Sequence, residues 1–110
     1  MTVLELTEIP TQSATTGRYS HKAFKALSDG TRREILFLLE DKQRNVGEIV
    51  TQFDLTQPTI SRHLSVLRDA DLIVDERQGQ KVVYSLNEGA LNASMQQFFG
   101  RFRGCQASLR

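Results

Sequence analysis

The chain is short of several residues whose abundance would define a class of protein. Its 110 residues include one cysteine, two histidines, two prolines and no tryptophan. A lone thiol, Cys105, cannot close a disulfide within the chain, which excludes the cysteine framework of small secreted domains. His21, His63 and Cys105 are too few and too scattered for a preformed metal site, so neither a metal nor another cofactor is expected. No apolar run approaches the ~20 residues needed to span a bilayer, and membrane insertion is not expected. The opening "MTVLELTEIP" holds Glu5 and Glu8 and no Lys or Arg, unlike the basic start of a secretory signal. A cytoplasmic protein is the expectation. The phosphate-loop, GxSxG and HExxH signatures are all missing, and no enzyme is expected.

What is present is ordinary in bulk. Apolar residues make up 39% and charged residues 25%, as in a soluble globular protein. The length suits one small domain with a core just large enough to be stable. The net charge of +1 points to no partner, but its distribution is uneven. Residues 18 to 33 hold Arg18, His21, Lys22, Lys25, Arg32 and Arg33 against Asp29 alone, and the last ten hold Arg101, Arg103 and Arg110 without an acid. Such clusters make either a basic face or plain solvated surface.

Residues 1–17 are rich in Thr and Ser, carry Pro10 and Gly17, and lack sustained periodicity. They read as a flexible arm, with "VLELTEI" as the stretch able to order. Residues 18–104 read as the folded domain and 105–110 as a tail. A first helix is expected over "YSHKAFKALSD", with Tyr19, Ala23, Phe24 and Leu27 on one side. Asp29 and Thr31 can each cap the next helix, and "TRRE" has the form of a capping box closed by Glu34. That helix contains "ILFLL", five adjacent apolar residues that cover most of a circumference, so packing on more than one side is expected. Asp41 to Arg44 reads as a polar turn.

"NVGEIVTQF" opens with Asn45 and Glu48 in cap and N3 positions, and Val46, Ile49, Val50 and Phe53 recur with helical spacing. Thr56 then caps a further helix, where Pro58 is tolerated in the first turn. Beyond Asp71 the period changes. "LIVDER" and "KVVYSL" read as two strands joined through Gln78, Gly79 and Gln80, with Gly79 at a positive φ. Asn87 caps a last helix running to about Gly104. The predicted fold class is mainly α with a β-hairpin, in the order α-α-α-α-β-β-α.

The helices at 46–53 and 57–69, joined by about three residues, have the helix-turn-helix arrangement. At 100° per residue, Ile60, Leu64 and Leu67 point together into a core. Arg62 and Asp69 fall nearly opposite, with Thr59 and Ser65 beside that line and Gln57, Ser61 and His63 on the flanks. Hydroxyls, an amide and an arginine can all address base edges. No acid occurs from 57 to 68. The alternative is a solvent face on a three-helix core, or a surface that docks a protein. Ser61 and His63, two residues apart, do not face each other as nucleophile and base would. Arg77 and Lys81 flank the Gly79 tip, where an extended arm can follow a phosphate backbone, although Asp75 and Glu76 dilute the charge. On the last helix Met95, Phe98 and Phe102 form an apolar stripe that begins with Leu91. Together with Phe24 and Leu27 of the first helix, it can bury itself against a second copy.

"FKALSDGTRREILFLLE", "VGEIVTQFDLTQPTISRHLSVLRDADLI" and "ERQGQKVVYSLN" together resemble the ArsR/SmtB family of bacterial winged-helix repressors, over roughly residues 20 to 90. The patterns LSDxTRxxIL and QPTxSxHLxxLxxAxLI, in that order before a Gly-tipped wing, are specific; Gly30 stands where many members have proline. The resemblance implies a winged helix-turn-helix homodimer, joined through its first and last helices, that represses transcription from an inverted-repeat operator in double-stranded DNA. It places Gln57, Thr59, Ser61, Arg62, His63 and Ser65 in the recognition helix and Arg77, Gly79 and Lys81 in the wing. Metal-sensing members carry cysteines near the second of these segments or the N-terminus, or His and acidic ligands on the last helix. This chain has none of those sets. It is similar to the SdpR-type autorepressor subgroup, and that resemblance implies release by a protein partner that sequesters the repressor. Cys105 leaves a thiol switch as a further, separate alternative.

Overall fold

The structure, a computed structural model, describes residues 21–106. A first helix, α1, is seen over residues 21–27. It buries Ala23 and Ala26 completely, while Phe24 and Leu27 are half-buried; Tyr19 lies outside the described residues. The second helix, α2, runs Gly30–Asp41 and is capped by Asp29, whose carboxylate accepts from the Arg32 backbone N–H at 3.1 Å. Asp29 already has the extended backbone of a cap, so Thr31 falls inside the helix and the Thr31–Glu34 box is not used. Ile35, Leu36 and Leu39 are buried, but Phe37 is 66% exposed. The expectation that "ILFLL" packs on more than one side therefore fails. Position 37 lies about 200° from 35 on the wheel, and a single core cannot reach both.

The stretch read as a polar turn contains a short strand, β1 (Arg44–Asn45). It pairs antiparallel with a later strand, Arg44 opposite Tyr84 and Asn45 opposite Val83. Asn45 then caps α3 (Val46–Val50) in a complete capping box: its side chain accepts from Glu48 N at 2.9 Å and Glu48 accepts from Asn45 N at 2.8 Å. The helix stops three residues before the expected Phe53. Gln52 and Phe53 donate to Ile49 and Val50, a tightening of the last turn that leaves half-buried Phe53 packed on the core.

The fourth helix, α4 (Gln57–Asp69), follows Thr56, with Pro58 in its first turn. The Thr56 hydroxyl makes no cap bond and instead meets the Thr59 hydroxyl at 3.0 Å. Ile60, Leu64 and Leu67 are buried, as their spacing requires. At its C-terminus Leu72 N donates to Leu67 O and Asp71 N to Arg68 O, with Asp71 at φ 62. This is a Schellman ending with aspartate in the left-handed position that glycine favours. Asp71→Gly is expected to stabilise the fold by about 0.5 kcal/mol, the relief of left-handed strain less glycine's extra chain entropy. A denaturation midpoint raised by about 2–4 °C would show it; a lowered midpoint would mean that the aspartate side chain is needed there.

The hairpin comprises β2 (Ile73–Gln78) and β3 (Lys81–Leu86), with Gln78 opposite Lys81 and Gly79 at φ 68 in the two-residue turn. The sheet order is β1-β3-β2. Asn87 caps α5 (Glu88–Phe99) by accepting from Ala90 N. The sequence predicts a helix to about Gly104, but α5 ends at Phe99. A Cβ at position 100 would lie 2.7 Å from Gln96 O, so this close turn requires Gly100, and the chain continues into a short α6 (Arg103–Gln106). Cys105 is inside α6 and half-buried. The core is formed by buried residues of α1 to α4 with Leu72 and Ile73, and α5 rests on it through Leu91. Among the described residues no helix is long and apolar enough to cross a membrane.

Candidate nucleic-acid interface

The face of α4 opposite its apolar anchor is open. Gln57, Ser61, Arg62 and Ser65 are exposed, and none of their side chains is hydrogen-bonded to another described residue. The first acid after Gln57 on this helix is the exposed Asp69, at its far end. Two of the six named residues differ from the rest. Thr59 is half-buried and engaged with Thr56. His63 is half-buried, with its Nδ1 3.2 Å from Arg32 Nη1.

The wing stands beside α4, and Arg68 of α4 bridges to Asp75 of β2 at 3.3 Å. A solvent-exposed pair of this kind contributes little stability, but it shows which side of the hairpin faces α4. Side chains alternate along a strand, so Arg77 shares that side with Asp75. Lys81, opposite Gln78, lies on the other. Arg77, Gly79 and Lys81 are all exposed at the tip. The two cations are thus divided between the faces, and with Asp75 committed to Arg68, Arg77 is the cation on the side of the hairpin that faces α4.

One residue that no periodicity in the sequence marks, Arg32, joins these elements. Arg32 donates from Nε to Ala26 O at 2.7 Å and from Nη2 to Lys25 O at 3.2 Å, besides its contact with His63. Arg33 donates to Leu27 O at 2.7 Å. A helix N-terminus disfavours cations, and α2 has no acid in its first turn, yet two arginines stand there. They serve the preceding helix: the last carbonyls of α1 have no helical partner and attract cations. That misplaced charge was the signal available in "TRRE". The Arg32 N–H donated to Asp29 holds that carboxyl below its ordinary value; partial burial opposes this, and the charge of Arg32 adds to it. A lowered folded value means that this cap stabilises the fold above pH ~4 and is lost as the pH falls through the folded value.

The residues expected at a dimer contact fall into two groups. Phe24 meets Phe98 at 4.9 Å and Phe98 meets Phe102 at 5.3 Å, with Phe98 43% and Phe102 50% exposed. Leu27, Leu91 and Met95 are half-buried, and Leu27 and Leu91 pack on this chain's own core. Among the described residues no three or more His, Cys, Asp or Glu side chains are grouped so as to hold a metal ion.

A helix pair seated on an apolar core, an open polar face on its second helix and a glycine-tipped hairpin alongside define a winged helix-turn-helix, DNA-binding regulator of transcription. Residues 29–74 match the model of the bacterial regulatory protein, arsR family. The chain is 44% identical to the transcriptional repressor SdpR of Bacillus subtilis over 75 residues, which cover 68% of this chain and 83% of that one. It therefore belongs to the ArsR family, whose members among its relatives are transcriptional regulators and not enzymes. An ArsR-like transcriptional regulator from Rhodococcus sp. RHA1 has the same fold, with a TM-score of 0.72 at 24% identity over 86% of this chain and 91% of that one. The homodimeric winged helix-turn-helix DNA-binding domain of Mb0332 from Mycobacterium bovis gives a TM-score of 0.68 at 26% identity, covering 82% and 85%.

Proposed function

We propose that residues 18–104 form a homodimeric repressor that binds an inverted-repeat operator through two copies of α4. The observation that carries this reading is the outer face of α4: four exposed hydrogen-bonding side chains with no acid before Asp69. Gln57, Ser61, Arg62 and Ser65 address base edges, with Thr59 at the margin and His63 beside a phosphate. Repression is carried over from the name of SdpR, and the two-fold pairing from that of the Mycobacterium bovis domain. The exposed Phe98 and Phe102, next to Phe24, supply an apolar face for the pairing. Leu27, Leu91 and Met95 border it and double as intrachain packing. A dimer sets the two recognition helices about 34–36 Å apart, one turn of duplex.

Release in this reading does not use metal, because the chain lacks the ligand sets of the metal-sensing branches. A protein that sequesters the repressor is the mode in keeping with the resemblance, and a cytoplasmic location follows from the role. Selection of binding sites from random duplexes, followed by gel shifts with competitor, tests the function. An inverted repeat recovered in the selection and bound in the presence of competitor is the expected result. Duplex binding without any sequence preference would instead favour a winged-helix module that docks a protein.

The wing contributes sequence-independent affinity. Arg77→Ala is expected to flatten the plot of log affinity against log salt by about one unit, as one phosphate contact is lost. Lys81→Ala, on the other side of the hairpin, is expected to flatten it by less. The reverse order would place the duplex against the opposite face of the wing.

A further inference from the structure

We propose that Arg32 is a positioning residue for DNA binding: it holds His63 with Nδ1 as acceptor, so that Nε2 carries the proton and donates to a duplex phosphate. This deepens the reading of α4 as the recognition helix and rests on it. A guanidinium has donors and no acceptor. Its approach to Nδ1 at 3.2 Å therefore requires a lone pair on that nitrogen. The imidazole is then neutral, with its N–H at Nε2, on the ring edge turned away from Arg32. Nothing else among the described residues is hydrogen-bonded to His63.

Arg32 is itself held on three sides. Its Nε and Nη2 donate to the last carbonyls of α1, and its backbone N–H donates to Asp29. The guanidinium therefore has little freedom, and the ring it meets is fixed in orientation as well as in tautomer. The side chain that results is a neutral donor on the flank of α4, one turn from Thr59 and beside Arg62. A neutral donor serves a phosphate oxygen without releasing a counterion, which separates its contribution from that of the wing arginine.

The tautomer is measured first, on the unaltered protein, by nitrogen-15 NMR of its two histidines, with His21→Gln to assign them. A pyridine-type Nδ1 and pyrrole-type Nε2 at His63 are expected; the opposite tautomer or an equal mixture overturns the proposal. His63→Asn and His63→Gln then divide the ring, because asparagine can place its amide near Nδ1 and glutamine near Nε2. His63→Asn is expected to weaken binding to the selected operator and to a random duplex alike by about tenfold, with the salt slope unchanged, whereas His63→Gln restores most of it. Equal loss in both variants, or a slope flattened by about one unit, overturns it. Arg32→Met should match His63→Asn, and the double variant should be no weaker than either; additive losses overturn the coupling. Should Arg32→Met fail to fold, the tautomer and the Asn/Gln pair still decide the matter. Arg62→Ala is measured in parallel: if it loses operator affinity while every His63 variant binds like the parent, this inference falls and the recognition helix stands.

Discussion

Leu64→Ala is expected to cost about 2–5 kcal/mol of folding stability, the range for a buried leucine truncated in a close-packed core. Leu64 is 2% exposed and lies between Ile60 and Leu67 on the inner stripe of α4, both fully buried. The domain is small, and a total stability of roughly 5–15 kcal/mol leaves little reserve. The thermal midpoint should therefore fall by 10 °C or more, at about 4–8 °C per kcal/mol. Operator binding should be lost with it above the new midpoint, because the unfolded chain no longer presents the outer face of α4. Leu64→Met, which conserves volume, should cost under about 1.5 kcal/mol. A loss below about 1 kcal/mol for alanine would mean that the core closes over the cavity, and that α4 is held chiefly from outside.

Arg62→Ala is expected to leave the fold unchanged and to cost about 1–3 kcal/mol on the selected operator, with relaxed base preference at one position of each half-site. The side chain is exposed, and no described residue shares its guanidinium, so its removal opens no cavity and strands no partner. The loss should be much smaller on random duplex. Arg62→Lys should not restore it, because an ammonium cannot make the paired contacts that a guanidinium makes to guanine. Equal losses on operator and random duplex would turn Arg62 into a phosphate contact and move base reading to Gln57, Ser61 and Ser65.

Much of the architecture was legible because local rules and tertiary packing agree. The spacing of Ile60, Leu64 and Leu67, the Asn45–Glu48 box and the Gly79 turn each have a local cause, and each appears as expected. What the sequence concealed depends on partners distant along the chain. The strand at Arg44–Asn45 exists because β3 lies beside it, with Tyr84 and Val83 opposite; two residues carry no period of their own. Phe37 points outward because one core cannot serve five consecutive positions. At the interface, the outer face of α4 could be drawn on a helical wheel, since exposure on a helix follows from its inner stripe. The engagement of His63 could not, because it requires Arg32, which is 31 positions away. Even so, the two arginines at the start of α2 contradicted the helix dipole, and that contradiction was visible in "TRRE" before any fold was known.

In the proposed complex, two copies of α4 read a two-fold symmetric duplex from one face. A hydroxyl-radical footprint on the selected operator tests it most directly. Two protected segments in inverted orientation, centred about 34–36 Å apart on one face of the duplex, are the expected result. A single protected segment, or weak protection spread evenly along the duplex, would contradict it.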